Sequence, residues 1–167
     1  YTHAGRSASK TFPVIVYGIP VLSVDNGGYD GNWTADRVVF NFESTNKLDG
    51  VKYYFKRENA TNWTVLYSNY YVVNTNSDDV YYFKAVNSEG IESEISQGYR
   101  VKYDNIKPKF TLEQSVTTLT NQSYTVNIKN ITVGESGIKA ITLNGEDITG
   151  QTEFTVPENG TYTVVIT

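Results

Sequence analysis

The sequence predicts an all-β chain built as two tandem β-sandwiches, the second lacking its last strand. Three observations carry that prediction. Apolar residues alternate with polar ones instead of recurring at helical spacing. The alternating runs are short and are bounded by Gly, Asn, Asp and Ser, the residues that make turns. One phrase, Tyr81-Tyr82-Phe83-Lys84-Ala85-Val86-Asn87-Ser88-Glu89-Gly90-Ile91-Glu92-Ser93, reads as strand, turn and strand, and parts of it recur. Residues 160–167 read as its first half, and residues 1–14 read like its second half. Recurrence at domain scale signals tandem modules.

Taken in order, the first module is expected to hold strands at 21–24, 37–43, 51–56, 63–66, 70–74, 80–87 and 98–103. Val38, Phe40 and Phe42 alternate with Val39, Asn41 and Glu43; Tyr53 and Phe55 alternate with Tyr54 and Lys56. A second series is expected at 110–113, 124–129, 138–143, 153–156 and 161–166. Asn144-Gly145 within it is a two-residue hairpin turn, because both residues tolerate positive φ. The join, Asp104-Asn105-Ile106-Lys107-Pro108, is short, and proline holds the residue before it extended. The organisation read this way is a terminal strand segment of an upstream module or linker at 1–19, a sandwich at 20–105 and a C-terminally truncated sandwich at 106–167.

Composition narrows the function. The 167 residues carry a net charge of −4, with no run of Lys and Arg, so the positive footprint that phosphate binding needs is missing and nucleic acid is not expected as a partner. No apolar run has the length of a membrane-spanning helix, so membrane insertion is not expected. Cysteine is absent, so each module must be held by its core alone. The 14 tyrosines favour pleated, half-exposed surfaces.

The residues then reach a family. Tyr81-x-Phe83-x-Ala85-Val86-Asn87-x-x-Gly90-x-x-Ser93 resembles the penultimate strand and turn of fibronectin type III domains, and of the related Ig-like repeats of Gram-positive surface proteins. Asp104-x-x-x-Pro108 with Phe110 and Leu112 is similar to the phrase that opens many such bacterial repeats, and Gly160-Thr161-Tyr162-Thr163-Val164 to one of their strands. The resemblance implies two Ig-like (fibronectin type III-like) sandwiches. Their parent would be a large, multi-module protein, secreted or attached to the cell wall, such as an adhesin or a modular glycan-degrading enzyme. Within such proteins these repeats act as spacers, stalks or docking modules.

Catalysis has little to stand on. The single histidine is His3, in the leading segment, and a nucleophilic triad needs a histidine held in a packed scaffold. The carboxylate pairs Glu92 with Glu94, Asp78 with Asp79, and Glu146 with Asp147 sit beside turns, where solvated charge is the ordinary role. No enzyme is expected. Calcium takes six to eight oxygen ligands, and Asp25, Asn26 and Asp30 share a Gly-rich loop while Asp104 and Asn105 sit at the join. Calcium there would stiffen a rod, although the same residues are ordinary turn formers. Tyr54, Tyr82, Tyr71 and Trp63 are candidates for a sugar platform, with Tyr70 and Trp33 beside them. Against that stands cross-strand pairing, and Trp33 or Trp63 would be the natural core aromatic. A Lys–Asn isopeptide bond of the kind known in this wider class would draw on Lys129, Lys139 and Asn127, which no spacing brings together. The triplets opened by Asn32, Asn59, Asn62, Asn121, Asn130 and Asn159 match a glycan acceptor pattern that a chain rich in Asn and Thr generates by chance.

The reading is a non-catalytic spacer or adhesion module of an extracellular bacterial protein. Its partners would be neighbouring modules of the same polypeptide and a host protein or glycan. The alternative is a carbohydrate-binding accessory module of a glycan-degrading enzyme. One further partner is expected. An unpaired sheet edge is a template for another strand, and Phe12, Val14 and Val16 alternate with Thr11, Pro13, Ile15 and Tyr17. Residues 1–18 of one molecule are therefore expected to complete the second module of another, head to tail.

Overall fold

The computed structural model describes residues 7–14, 18–45, 50–116, 118 and 120–167. The chain is all-β, and among the described residues there is no helix. His3 and the alternating residues Ile15, Val16 and Tyr17 lie outside the described residues, as does most of the leading segment's first half.

Seven strands form the first set: β1 (Val21–Asp25), β2 (Val38–Thr45), β3 (Lys52–Arg57), β4 (Thr64–Leu66), β5 (Tyr70–Val73), β6 (Ser77–Val86) and β7 (Tyr99–Tyr103). They make two antiparallel sheets, ordered β1-β2-β5 and β4-β3-β6-β7. The expected alternation decides which side chains go inside. Val38, Phe40 and Phe42 from β2 meet Tyr81 and Phe83 from β6 and Val101 and Tyr103 from β7 in one buried cluster. Aromatic edges and faces interlock there: the Phe83 ring lies 4.8 Å from Phe40 and 4.9 Å from Phe42.

Six strands follow: β8 (Lys109–Gln114), β9 (Tyr124–Thr132), β10 (Ile141–Leu143), β11 (Glu146–Asp147), β12 (Glu153–Val156) and β13 (Val164–Ile166). Their sheets run β8-β9-β12 and β11-β10-β13. Val126, Ile128, Ile141, Phe154, Val156 and Ile166 form a second core of their own.

The two sets share one topology. β8, β9 and β12 repeat β1, β2 and β5; β11, β10 and β13 repeat β4, β3 and β6. Nothing among the described residues takes the place of β7. The equivalence extends to one tyrosine in each set. Tyr81 Oη shares a hydrogen bond with Ser77 Oγ at 3.0 Å, and Tyr162 Oη donates to the Glu158 carbonyl at 3.1 Å, each four residues upstream. A tyrosine pinning this corner is a recurrent device of two-sheet sandwiches.

Three details differ from the sequence reading. β10 begins later than expected, because residues 139 and 140 meet Thr167 irregularly: the Lys139 and Ala140 N–H groups both donate to its carbonyl; β13 is also shorter than expected, starting at Val164. The Asn144-Gly145 turn forms, with φ of 51° and 88°, and it launches β11, a short strand the sequence reading left out. Neither tryptophan joins the first core; aromatic volume there comes from Phe40, Phe42, Tyr81 and Phe83.

Candidate functional site

The join carries a nearly buried carboxylate, that of Asp104. Asp104 follows β7 directly and is 7% exposed. Its N–H donates to the Thr34 carbonyl, which fixes the backbone to the first set of strands. Its carboxylate reaches the second. Oδ2 accepts from the Ser136 N–H at 2.8 Å and from Ser136 Oγ at 2.6 Å, while Oδ1 accepts from the Ile106 N–H at 3.0 Å. The Ser136 hydroxyl is the main cause holding the Asp104 carboxyl below its ordinary value, with the Ser136 and Ile106 amides adding to it against the opposing effect of burial. Charge-assisted hydrogen bonds are about twice as strong as neutral ones.

Sequence near Ser136 explains how the approach is made. Gly134 starts a turn closed by the Gly137 N–H donating to the Gly134 carbonyl at 3.2 Å. A Cβ on Gly134 would fall inside the Asp104 carboxylate. Only glycine leaves room for the acid. Gly134→Ala is accordingly expected to displace Asp104 and decouple the two sets of strands without unfolding either core. Amide chemical shifts confined to residues around 104 and 136, with core shifts unchanged, would check this.

Beside the clamp lies an open cavity of about 390 Å³, lined by Trp33, Thr34, Ala35, Asp104, Ser136 and Lys139 among others. Trp33 therefore sits at the join and not in a core. The Gly-rich loop before it is tied down by Tyr29, whose hydroxyl donates to the Asn32 carbonyl at 2.7 Å and accepts the Lys102 N–H at 2.9 Å.

The expected calcium ligands are not brought together. Asp25 Oδ1 accepts from the Gly27 N–H, Asn26 Oδ1 from the Gly28 N–H, and Asp30 takes both the N–H and the side-chain amide of Asn32. Each side chain closes its own turn, as Asp and Asn commonly do. Asp104 is engaged with Ser136, and Asn105 contributes its backbone N–H to Asn76 Oδ1. Among the described residues no group of three or more His, Cys, Asp or Glu side chains converges.

The carboxylate pairs are likewise split. Asp78 holds Arg100 through two hydrogen bonds of 2.8 and 2.9 Å. Asp79 lies 3.8 Å from Arg57, Glu92 takes Lys84, and Asp147 caps the Thr149 N–H. Lys129 pairs with Glu113 in an exposed position.

The sugar-platform candidates separate into two groups. Tyr71 is a correction: it packs against the first core, stacked on Phe55 with ring centroids 4.1 Å apart. Burial pushes its phenol up to about 12. Tyr54, Tyr82 and Trp63 lie on the opposite face of the β4-β3-β6-β7 sheet. Pairing sets Tyr54 opposite Lys84 and Lys56 opposite Tyr82. Lys84 is 7% exposed there, an unusual burial for a lysine. Its ammonium sits 4.8 Å from the Trp63 ring centre, 5.8 Å from that of Tyr54, and 2.6 Å from Glu92 Oε1. Lys56 Nζ also lies over Trp63, at 5.4 Å. The rings thus shelter two cations instead of offering a bare flat face.

Ser136, Gly134 and Lys84 were not singled out by the sequence reading. The Gly134-Glu135-Ser136-Gly137 turn was the available signal, but its partner lies 32 residues away. Compared with protein-family models and with curated proteins, the chain matches none.

Proposed function

We propose that this chain is a non-catalytic spacer or adhesion segment of an extracellular bacterial protein, made of tandem Ig-like, fibronectin type III-like modules that hold neighbouring domains at a set orientation. The observation that carries the reading is the Asp104 clamp. A linker that only tethered two modules would have no use for a nearly buried carboxylate gripping the far side, nor for a glycine kept clear to admit it. A spacer that transmits orientation requires that coupling. The extracellular, cell-wall setting follows from the motif resemblance around Tyr81 and Asp104.

The rival is a carbohydrate-binding accessory module, for which Tyr54, Trp63 and Tyr82 on one sheet face are the favourable observation. The cations over Trp63 weigh against it, because sugar stacking needs the ring face that Lys84 and Lys56 occupy. A glycan array separates the two. The spacer reading expects no glycan retained above background. Retention that disappears in Tyr54→Ala or Tyr82→Ala would replace it with the rival.

A further inference from the structure

β4 is an edge strand of the first set. It pairs with β3 on one side and, in the order β4-β3-β6-β7, with nothing among the described residues on the other. The chain on both sides of it, residues 57–63 and 67–70, is described, and neither stretch turns back to cover it. An edge of this kind is a template for another strand. The sheet face beside it is positively charged. Lys52 and Lys56 on β3 stand on the same face as Tyr54, and Lys84 on β6 and Arg100 on β7 share that face. Lys84 is answered by Glu92 and Arg100 by Asp78. Among the described residues no carboxylate pairs with Lys52 or Lys56. The chain as a whole carries a net charge of −4. Two uncompensated cations beside an open edge are therefore a local positive field on an acidic molecule, and such a field selects an acidic partner.

Register brings both lysines to that edge. Phe55 pairs with Thr64, Tyr54 with Val65 and Tyr53 with Leu66. One step further in each direction sets Lys56 opposite Trp63 and Lys52 opposite Tyr67. Lys56 Nζ lies 5.4 Å from the Trp63 ring centre, so its charge leans across β4 toward the open side. At the other end a groove of about 310 Å³ opens between Lys52 and Tyr67, with Val65 and Leu66 along it. Tyr67 itself is 96% exposed. Side chains on one face of a strand recur every second residue. A strand laid on β4 thus has three positions on the charged face: in the row of Lys56 and Trp63, in the row of Tyr54 and Val65, and in the row of Lys52 and Tyr67.

We infer that an extended acidic segment of a partner protein adds to the free edge of β4. Its acidic side chains, four residues apart, meet Lys56 and Lys52, and an apolar side chain between them rests on Val65. Main-chain hydrogen bonds to β4 hold the segment, and the acid-x-apolar-x-acid pattern selects it. A polypeptide suits this place better than an anionic glycan. Lys84 and Lys56 already occupy Trp63, whereas the strand edge offers backbone donors and acceptors in the spacing that another strand matches. The inference gives the adhesion reading a class of partner but stands on the β4 edge, so its failure would leave the Asp104 clamp untouched.

Titration of the isotope-labelled 167-residue chain with the capped peptide Thr-Thr-Glu-Thr-Val-Thr-Glu-Thr-Thr tests it. Saturable amide shifts are expected at residues 63–67 and at Lys52 and Lys56, with the signals of Phe83 and Val101 unmoved. Lys52→Glu with Lys56→Glu should weaken binding by roughly tenfold or more. The same peptide with lysines in place of its glutamates should bind the double variant and not the parent. Strand addition is read on the parent chain alone. N-methylation of one alternate set of peptide amides should abolish the shifts, and N-methylation of the other set should leave them. No shift at millimolar peptide, a peptide indifferent to the charge reversal, or one indifferent to both N-methyl sets would overturn the proposal. So would polygalacturonate moving these amides where the peptide does not, which would assign the cations to an anionic glycan.

Discussion

Phe83→Ala is expected to cost the first set of strands about 3–5 kcal/mol, the range for removing a large aromatic from a packed core. The residue is fully buried, and its ring touches both sheets: Phe40 and Phe42 across the sandwich, Tyr71 at 6.2 Å and Tyr99 at 6.0 Å. Truncation opens a void that four rigid rings cannot collapse into without leaving their places. The second core shares no residue with the first, so its own unfolding should not move. The chain provides a convenient reporter, since Trp63 lies on the β4-β3-β6-β7 sheet and Trp33, at the join, can be replaced by Phe to leave Trp63 as the probe. Urea unfolding followed by tryptophan fluorescence should shift to much lower denaturant. Hydrogen exchange at Val126, Ile128 and Ile141 should stay at parental protection. Equal loss in both regions would mean that the two cores are one cooperative unit.

Asp104→Ala is expected to act on the join. It removes an acceptor of three hydrogen bonds and leaves the Ser136 N–H without its partner, a loss of about 1–3 kcal/mol of coupling. The cores should remain folded while their relative orientation is released. The same release is expected on acidification. Because the folded carboxyl titrates below its ordinary value, the clamp's contribution is present above the unfolded pKa and is lost as pH falls through the folded one. Orientation should therefore hold from neutral pH down to about 4 and loosen beneath the ordinary carboxylate value. The Asp104→Ala chain should show no such pH dependence at the join. Asp30, Asp78 and Asp147 are also held low, by Asn32, Arg100 and Thr149 respectively. They weaken the fold in the same acidic direction, so the readout must be orientation and not global stability.

How much of this could be read beforehand depended on whether the deciding contact was local. Alternation in residues 38–42 and 81–85 put Phe40, Phe42, Tyr81 and Phe83 inside, as expected, because each strand's phase is written in its own residues. The Asn144-Gly145 turn was equally local. Tyr71 was not: Tyr70-Tyr71-Val72-Val73 has no polar residue to mark a phase, and pairing of Tyr71 with Phe40 on β2 settles which side faces in. Trp63 shows the same limit. Its outward placement follows from Phe55 pairing with Thr64, a choice made between strands. Asp104 was noticed, but as part of a join phrase and as a metal-ligand candidate. Its actual partner, Ser136, lies 32 residues further along the chain, and no local pattern links the two.

Through its bonds to Thr34 and Ser136, Asp104 is expected to hold the two sets of strands as one oriented body. Residual dipolar couplings measured at neutral pH test it most directly. Couplings from β1 to β7 and from β8 to β13 are expected to fit a single alignment tensor, and Asp104→Ala to split them into two of unequal magnitude. Two unequal tensors already present in the parent chain would contradict it.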